Sequence, residues 1–501
     1  MALGDQARDS GRLLVSAPQG RSGKTIVTIG LCTALRKRGF LIQPFKKGPD
    51  YIDPSWLTLA AGRSCRNLDL FLIPEANLLQ SFDRACRGAD VAVIEGNMGL
   101  FDGLDSVGQG TSAALACLLS APVLLVVNVS RMTTSIAAMV SGYQSFTPDV
   151  SIAGVILNHV AGPRHEKKLK DAVEKYCHIP VVASIPQDLD LRIDERHLGL
   201  IPSPESDESK TIVERIGEKL EGCFNLEEIL KIAWKGVPPH PYPLPPGERE
   251  GQEKTRPAEE RERRLGGSEG MRGDQGTKPK IGVIFDRVFN FYYPENLEAL
   301  TQAGSELVFI NSIHERLPAV DGLYIGGGFP EFFLKELESN QLLREDIREA
   351  TQAGLPVYAE CAGLMYLCEE IRGVDRSYKM VGTIPAKVSL SRKPEGHGYA
   401  IARVIAENPI FPRGLTIRGH EFHHSKIHFE SEAPCAYRIE RGHGIDGNRD
   451  GVVYNNVMAS YMHLHALGTT EWADGFIRLV SKARDSVGRS RNRDSEAALG
   501  L

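Results

Sequence analysis

The sequence predicts an α/β protein with two domains, the first of which is built around a mainly parallel sheet. Three observations lead to this prediction. The chain has 501 residues, which is more than one hydrophobic core usually supports. In both halves, short apolar runs alternate with helical patterns, and in the first half this alternation is typical of a parallel sheet covered by helices. Between the halves the chain becomes polar and rich in proline, which is typical of a connection between domains.

In the first half the apolar runs and helical patterns follow one another closely. A buried strand at Leu13–Ser16 leads through a glycine-containing loop into a helix over about Lys24–Lys37. Further apolar runs with helical patterns between them are Val91–Ile94, Pro122–Val127 and Ile152–Leu157. We therefore expect the first domain to occupy residues 10–235.

The connection is predicted at residues 236–279. From Pro245 to Lys280 only Leu265 and Met271 are sizeable apolar side chains, too few to offset the entropy lost on ordering. We expect a disordered linker with a stiff proline-rich start; a docking motif is the alternative. The polar residues 485–501 are expected to be a flexible tail, which leaves 280–484 for the second domain.

The second domain begins another series of strands and helices. The apolar runs that open it are Ile281–Ile284, Leu323–Ile325 and Pro356–Ala359. The last of these is followed by Cys361 and a helical pattern, an arrangement that exposes a nucleophile at a tight turn and favours its thiolate at a helix N-terminus.

Composition excludes several classes of protein. A net charge of −5 lacks the basic excess that a general nucleic-acid binder needs. The nine cysteines are scattered without any Cys-x-x-Cys pair, so we expect a reducing cytoplasm rather than disulfides or zinc. No apolar run approaches the ~20 residues that cross a bilayer, and the first ten residues lack the apolar core of a signal peptide. We expect a cytoplasmic protein that binds neither nucleic acid nor membrane.

The loop after the first strand predicts a nucleotide site. In Gly23-Lys24-Thr25 the backbone N–H groups and the helix N-terminus suit phosphate oxygens, the lysine neutralises them and the threonine hydroxyl ligates magnesium. Pro18 stands where the strict pattern has its first glycine, so the signal depends on the strand before the loop and the helix after it.

Carboxylates follow two further strands of the first domain. Asp50 and Asp53 lie three residues apart after the lysine pair of Phe45–Pro54, and Glu95 directly follows an apolar strand. Ligands of α/β sheets bind at the carboxyl ends of strands, so these side chains are candidates for metal or substrate binding. Each segment alone could be a solvated polar turn, but three features in this order favour a site.

Two further features of the second domain suit a thiol hydrolase. The glycine-rich segment Tyr324–Pro330 offers backbone N–H groups for an oxyanion hole, and a histidine of the segment Ser460–His465 offers a base for Cys361. Separately, a cysteine after a strand is mostly a core residue and a glycine triplet is mostly a loop. Their combination favours the site of a thiol hydrolase.

These motifs resemble the cobyrinate a,c-diamide synthase family and its relatives that act on hydrogenobyrinate and nickel-sirohydrochlorin. The resemblance runs from about Leu13 to Ile477, and its most specific segments are Gly48–Pro54, Asn67–Asp69 and Glu95–Gly103. It implies an N-terminal P-loop domain like that of dethiobiotin synthetase and a C-terminal class I glutamine amidotransferase domain. It also implies ATP as co-substrate and Mg²⁺ as cofactor.

Residue roles in the first domain are implied by the resemblance. It assigns Gly23, Lys24, Thr25 and Asn158 to ATP, with Asn158 near the adenine. It assigns substrate activation to Asp50, Asp53 and Asp102, and the metal to Thr25, Asp53 and Glu95. Where the family usually has Ser-Gly at the start of the loop, this chain has Gly20 and Arg21, so a charge is added near the phosphates.

In the second domain the resemblance makes Cys361 the nucleophile, His463 the base, and Gly327 and Gly328 the oxyanion hole. His465 occupies the place where other triad amidotransferases have glutamate, so no third triad member is expected. Two further segments match the family without a chemical role, Phe289–Asn296 and Gly419–Ser425.

The function that the resemblance implies is that of a carbon–nitrogen ligase with glutamine as amide donor. ATP would activate the a and c carboxylates of cobyrinate, and ammonia would replace the phosphate. The same amidation of hydrogenobyrinate or nickel-sirohydrochlorin is an alternative, as is a regulatory P-loop ATPase with a degenerate amidotransferase domain. We expect only small-molecule partners and a monomer or homodimer.

Overall fold

A computed structural model describes residues 10–104, 110–187, 191–196, 199–235 and 277–498, with the side chains of 195, 196, 199 and 487–498 excepted. The predicted linker lies outside the described residues apart from 277–279. The same holds for 499–501 of the predicted tail.

The first unit contains a seven-stranded sheet whose strands are all parallel, in the order β3-β2-β4-β1-β5-β6-β7. Its strands are β1 (Gly11–Ser16), β2 (Ile42–Lys47), β3 (Arg66–Leu68), β4 (Val91–Glu95), β5 (Val123–Asn128), β6 (Ile152–Val160) and β7 (Val181–Pro186), followed by the small hairpin β8 (Glu195–Arg196) and β9 (Gly199–Leu200). Its helices are α1 (Lys24–Lys37), α2 (Ile52–Ala61), α3 (Glu75–Cys86), α4 (Ser112–Leu118), α5 (Ser135–Phe146), α6 (Pro163–Cys177), α7 (Ser209–Leu220) and α8 (Leu226–Ala233). Separate apolar cores lie on the two faces of this sheet.

The register of the central strands determines where the functional loops meet. Glu95, the last residue of β4, pairs with Val15 of β1 on one side and with Lys46 of β2 on the other. Because these strands are parallel, the loop after β1, the end of β2 and the end of β4 lie at one edge of the sheet. The Gly23–Thr25 segment and the acidic motifs are thereby brought together.

The second unit has a ten-stranded mixed sheet in the order β12-β10-β13-β15-β24-β23-β22-β19-β20-β25, beside a four-stranded sheet and a two-stranded one. Its strands are β10 (Lys280–Ile284), β11 (Phe289–Phe291), β12 (Glu306–Ile310), β13 (Gly322–Ile325), β14 (Gly327–Gly328), β15 (Val357–Glu360), β16 (Cys368–Arg372), β17 (Ser377–Lys379), β18 (Ile384–Leu390), β19 (Gly396–Val404), β20 (Thr416–His423), β21 (Ser425–Phe429), β22 (Cys435–Arg441), β23 (Arg449–Tyr454), β24 (Val457–Ser460) and β25 (His463–Leu464). Its helices are α9 (Pro294–Gln302), α10 (Leu334–Ser339), α11 (Gln341–Gln352), α12 (Ala362–Leu367) and α13 (Glu471–Ala498).

The two-domain α/β architecture predicted from the sequence is confirmed. The larger sheet is parallel only from β12 to β24, and the strands beyond β24 are antiparallel to their neighbours. The tail expected to be flexible from residue 485 instead continues α13 as far as Ala498. No proline interrupts this segment, and arginine, glutamate and alanine favour helix.

The two units are joined by ion pairs and by hydrogen bonds between side chains. Arg66 of β3 pairs with Glu295 at 3.1 Å and with Glu298 at 2.5 Å, both on α9. The Tyr399 hydroxyl donates to Asp69 Oδ2 at 2.5 Å. Because these residues surround the sheet edge that carries the acidic motifs, that edge faces the second unit.

Candidate active site

The loop after β1 has the backbone that a phosphate site requires. Gly23 has a φ of 87°, and a Cβ built there would lie 2.3 Å from Asn158 Nδ2, so only glycine fits. Helix α1 starts at the next residue, Lys24, whose Nζ donates to the Met98 carbonyl at 2.7 Å. Arg21 has a φ of 57° in the left-handed region that favours glycine. The departure from the family's loop is therefore accommodated with backbone strain.

Asn158 lies beneath this loop. Its Nδ2 donates to the Ser22 carbonyl at 2.9 Å, and its Oδ1 accepts from the His159 N–H at 3.0 Å. Both polar atoms of the side chain are thus engaged by backbone, and the residue supports the shape of the loop. A contact with adenine stays a prediction.

A buried lysine gathers the predicted carboxylates. Lys46 Nζ lies 2.5 Å from Asp53 Oδ2, 2.6 Å from Glu95 Oε1 and 3.7 Å from Asp50 Oδ2, and its side chain is 2% exposed. The Thr25 hydroxyl donates to the same Glu95 oxygen at 3.0 Å. Asp50 also accepts from the N–H groups of Ile52 and Asp53, which begin α2. Lys46, which was not assigned a role, therefore contacts the three predicted carboxylates, and Thr25 joins the group through Glu95.

Protonation in this cluster follows from burial and from Lys46. Burial opposes the charged form of Lys46, but its three carboxylates raise its pKa well above the ordinary value. Burial and the nearby Asp53 charge raise the pKa of Asp50 to about 7, and burial raises that of Glu95 despite Lys46. Burial acts against ionisation of Asp53 too, yet Lys46 lowers its pKa. Protonation is therefore favoured at Asp50 and Glu95, whereas Lys46 favours the ionised form of Asp53.

The donors present fit a magnesium ion held partly by nucleotide. Glu95 Oε2 is buried and has no hydrogen-bond partner, so one carboxylate oxygen is available beside the Thr25 hydroxyl and Asp53. Within the described ranges no three His, Cys, Asp or Glu side chains form a metal-binding group by themselves. Mg²⁺ commonly uses one or two carboxylates together with phosphate oxygens and water, which suits this arrangement.

Asp102 lies on the other side of the loop. Its Oδ2 accepts from the Gly99 N–H at 2.9 Å, in the turn that also carries the Met98 carbonyl bound by Lys24. The side chain lines the same cavity as Lys24 and Asp53. Its assignment to substrate activation stays a prediction.

Cys361 occupies a strained turn between β15 and α12. Its φ of 49° and ψ of −102° are unusual for a residue with a side chain, and its N–H donates to the Ser460 carbonyl at 2.7 Å. A Cβ at Gly363 would lie 2.3 Å from the Ile325 carbonyl, so the helix packs closely on β13. This is the nucleophile-elbow geometry predicted from the sequence.

His463 has an acidic partner that the sequence comparison did not predict. Its Nδ1 lies 3.4 Å from Oε2 of Glu360, the residue directly before Cys361, and both side chains are buried. Burial disfavours the charged imidazole, but the interactions with Cys361 and Glu360 raise the pKa of His463 to about 10. The expectation of no third member thus overlooked a carboxylate at another position.

His465 belongs to a different group of contacts. Its Nδ1 accepts from the Leu467 N–H at 3.2 Å, and its Nε2 lies 3.7 Å from Glu295 Oε2. Burial and the nearby Arg66 lower the pKa of His465 to about 3, so the ring is neutral. It is part of the contact between the two units.

The predicted oxyanion residues lie against the base. Gly327 and Gly328 form β14, which pairs with β11. A Cβ at Gly327 would lie 2.4 Å from His463 Cε1, so a side chain there would collide with the ring. Their role as N–H donors to an oxyanion stays a prediction.

An aromatic group connects the two predicted sites. The Tyr51 ring, from the Gly48–Pro54 motif, lies 5.0 Å from Phe291 in a stacked arrangement and 5.3 Å from His463, measured between ring centroids. His420 stacks on His463 at 4.9 Å, and burial lowers the pKa of His420 well below its ordinary value. The acidic motif of the first unit therefore directly contacts the base of the second.

A single cavity of about 920 Å³ lies between the units. Its walls include Lys24, Asp53 and Glu95 from the first unit and Phe291, Tyr399 and His463 from the second. Cys361 does not line it, whereas His463 does. The cavity therefore extends from the predicted phosphate site to the predicted base.

Four residues of this region were not identified as functional from the sequence. Lys46 and Tyr51 lie inside a motif whose aspartates were the signal, and His420 lies in a matched segment without an assigned role. Glu360 is adjacent to the nucleophile, but strand alternation gave no reason to direct it at a histidine 103 positions away.

Along the described ranges of the chain, every helix is too short or too polar to span a membrane.

Comparison with known proteins identifies two matching domains. Residues 13–201 match the profile of the CobQ/CobB/MinD/ParA nucleotide binding domain, and residues 280–471 match that of the CobB/CobQ-like glutamine amidotransferase domain. A cobyrinate a,c-diamide synthase of Magnetococcus marinus is 44% identical over 92% of this chain and 95% of its own length. Enzymes of the same name from Archaeoglobus fulgidus and Methanosarcina acetivorans are each 40% identical, over 95% and 96% of this chain and 99% and 98% of theirs.

Proposed function

The chain belongs to the cobyrinate a,c-diamide synthase family, and from this we propose that it amidates the a and c carboxylates of cobyrinate in cobalamin biosynthesis, using ATP and glutamine. The observation that carries the proposal is the shared cavity, with phosphate-loop and carboxylate side chains on one wall and His463 on another. A ligase of this kind needs both chemistries within reach of one another.

The first step takes place beside the phosphate loop. A carboxylate oxygen of the macrocycle attacks the γ-phosphorus of ATP, the bond to the β–γ bridging oxygen breaks, and ADP leaves. Lys24 and Lys46 provide positive charge where the transferred phosphoryl group carries negative charge. Thr25, Asp53 and Glu95 would hold Mg²⁺ with phosphate oxygens, and the ion would neutralise charge on the triphosphate.

Asp50 contributes differently from the two metal-binding carboxylates. Because its pKa is raised to about 7, it is partly protonated near neutral pH and can donate a hydrogen bond to an incoming carboxylate. Asp102 lines the same cavity and accepts a hydrogen bond from the Gly99 N–H group, which restricts the rotation of its side chain.

The second domain supplies ammonia. In the reactive form the thiol proton of Cys361 already resides on His463, whose pKa is raised to about 10, and the Cys361 thiolate attacks the carboxamide carbon of glutamine. His463 returns the proton to the departing nitrogen, so ammonia leaves and a glutamyl thioester remains, which water hydrolyses to glutamate. Backbone N–H groups at Gly327 and Gly328 stabilise the oxyanion.

Ammonia then completes the amide. It enters the cavity at His463 and attacks the acyl phosphate near Lys24 and Asp53, and phosphate leaves because it is a much better leaving group than the original oxide. Repetition at the second carboxylate gives the diamide from two ATP and two glutamine. Hydrogenobyrinate and nickel-sirohydrochlorin carry equivalent carboxylates and are the alternative substrates.

The experiment is a set of parallel incubations with cobyrinate, hydrogenobyrinate and nickel-sirohydrochlorin, with products weighed by mass spectrometry. We expect two successive losses of one mass unit on cobyrinate, each accompanied by one ADP and one glutamate. If only hydrogenobyrinate or only nickel-sirohydrochlorin is amidated, that macrocycle and not cobyrinate is the substrate. ATP hydrolysis that ignores all three, without any amide, would instead favour a P-loop switch.

A further inference from the structure

The carboxylate of Glu360 contacts the imidazole ring of His463. Glu360 is the last residue of β15, and Cys361 follows it at the strained turn. Its Oε2 lies 3.4 Å from His463 Nδ1, and its side chain is 1% exposed. Nucleophile and carboxylate are therefore adjacent in the chain, and the carboxylate contacts the ring of His463.

The remaining contacts of Glu360 are all with hydrogen-bond donors. Its Oε2 accepts from the Tyr324 hydroxyl at 3.2 Å, and its Oε1 accepts from the Tyr358 hydroxyl at 3.1 Å and the Leu464 N–H at 3.2 Å. Burial, followed by the charge of Glu360, raises the pKa of both tyrosines well above the ordinary value, so they remain donors. Four donors arranged around one carboxylate satisfy its two oxygens and restrict its rotation.

We propose that Glu360 is the positioning residue of the glutamine-hydrolysing site, accepting a hydrogen bond from the Nδ1–H group of His463 so that Nε2 faces Cys361. The inference rests on the proposed glutaminase function. An imidazole that acts as base needs an acceptor on its other nitrogen, which determines its tautomer and stabilises the imidazolium. The 3.4 Å separation agrees with the long hydrogen bonds of such groups without substrate, which shorten in the complex.

His465 does not serve this purpose. Its Nδ1 accepts from backbone and its Nε2 faces Glu295, which is itself paired with Arg66 of the first unit. Glu295 is thus a matched control: a buried glutamate that contacts a histidine of the same segment but not His463.

The test compares Glu360→Gln with Glu295→Gln in the full-length chain. For Glu360→Gln we expect kcat of glutamine hydrolysis to fall on the order of 10²-fold, with KM within about threefold of the wild type, because orientation of the base acts in the transition state. Ammonium-dependent amidation should persist, which reports a folded first domain. Glu295→Gln should keep glutaminase kcat within about threefold.

The pH profile separates positioning from general damage. Loss of the Glu360 charge removes stabilisation of the imidazolium, so the alkaline limb of kcat/KM, set by loss of the His463 proton, should move to lower pH. Glu360→Asp keeps the charge and should restore part of kcat and the wild-type limb. The proposal would be overturned if Glu360→Gln kept the wild-type kcat. It would also be overturned if Glu360→Gln and Glu295→Gln lost kcat equally while the alkaline limb of kcat/KM stayed at the wild-type pH.

Two further measurements keep the outcome decisive. If Glu360→Gln fails to fold, ¹⁵N-histidine NMR of the unmodified chain, assigned with His463→Gln, must show Nδ1 protonated; an unprotonated Nδ1 would refute the proposal. Cys361→Ala distinguishes the two levels of inference. If it retains glutaminase activity, the proposed function is wrong, whereas a dead Cys361→Ala beside a fully active Glu360→Gln contradicts only the role of Glu360.

Discussion

Replacement of Lys46 by methionine should destabilise the first domain strongly and in a pH-dependent way. The ammonium is buried against Asp53 at 2.5 Å, Glu95 at 2.6 Å and Asp50 at 3.7 Å. Removing one partner of a buried ion pair costs about 3–5 kcal/mol, since the remaining charges are left without compensation. For a domain of roughly 200 residues that corresponds to about 6–20 °C in Tm.

The sign of the pH dependence follows from the carboxylates. Without Lys46 the folded-state pKa values of Glu95 and Asp50, already raised, rise further above those of the unfolded chain. The free energy of unfolding that Lys46→Met removes is therefore largest above the folded-state pKa values of these carboxylates. It becomes smaller as the pH falls through those values, because the carboxylates take up protons. The difference from wild type should therefore be larger at pH 8 than at pH 5.5.

The assay is differential scanning calorimetry at both pH values, with Lys47→Met as control. Lys47 is the next residue along β2 and is also buried, but burial lowers its pKa and it forms no ion pair within the part of the chain that the structure describes. Its replacement should therefore cost less. A Lys46→Met variant that melts within about 2 °C of the wild type at pH 8, or equal losses at both pH values, would refute the reasoning.

Three other variants test the division of chemistry between the domains. Lys24→Ala removes a positive charge that stabilises the transferring phosphoryl group. The barrier to amide synthesis should therefore rise by several kcal/mol, while the basal glutaminase rate is unchanged; coupled assays of ADP and glutamate measure the two rates. Cys361→Ala should abolish the use of glutamine but keep amidation with free ammonium, and loss of both would contradict two separate sites. Tyr51→Ala opens the aromatic contact with His463, so glutamate released per amide should rise above one; a ratio equal to that of Tyr51→Phe and the wild type would show that the ring does not couple the sites.

Local signals in the sequence were sufficient to predict the loops that follow the parallel strands. The β1–α1 unit, the glycine at position 23 and the turn at Cys361 depend on residues only a few positions apart, whose periodicity and φ requirements are visible in the chain. Because parallel strands end at the same edge, the proximity of Asp53 and Glu95 could also be predicted.

The antiparallel part of the larger sheet could not be derived in the same way. Strand β19 pairs with β22 although β20 and β21 lie between them in the sequence, and β20 pairs with the distant β25. Alternating patterns indicate strands but do not determine which strand becomes a neighbour.

The sequence by itself determined the chemistry that is available: a phosphate loop, acidic motifs, a cysteine at a turn and a distant histidine. Only the tertiary structure decided which polar groups share one desolvated environment. Lys46 acquires three carboxylates, Glu360 acquires His463, and Tyr51 bridges the two units. The physical reason is that a buried charge is stable only where packing supplies its partners, and packing brings together residues whose separation along the chain carries no local signal.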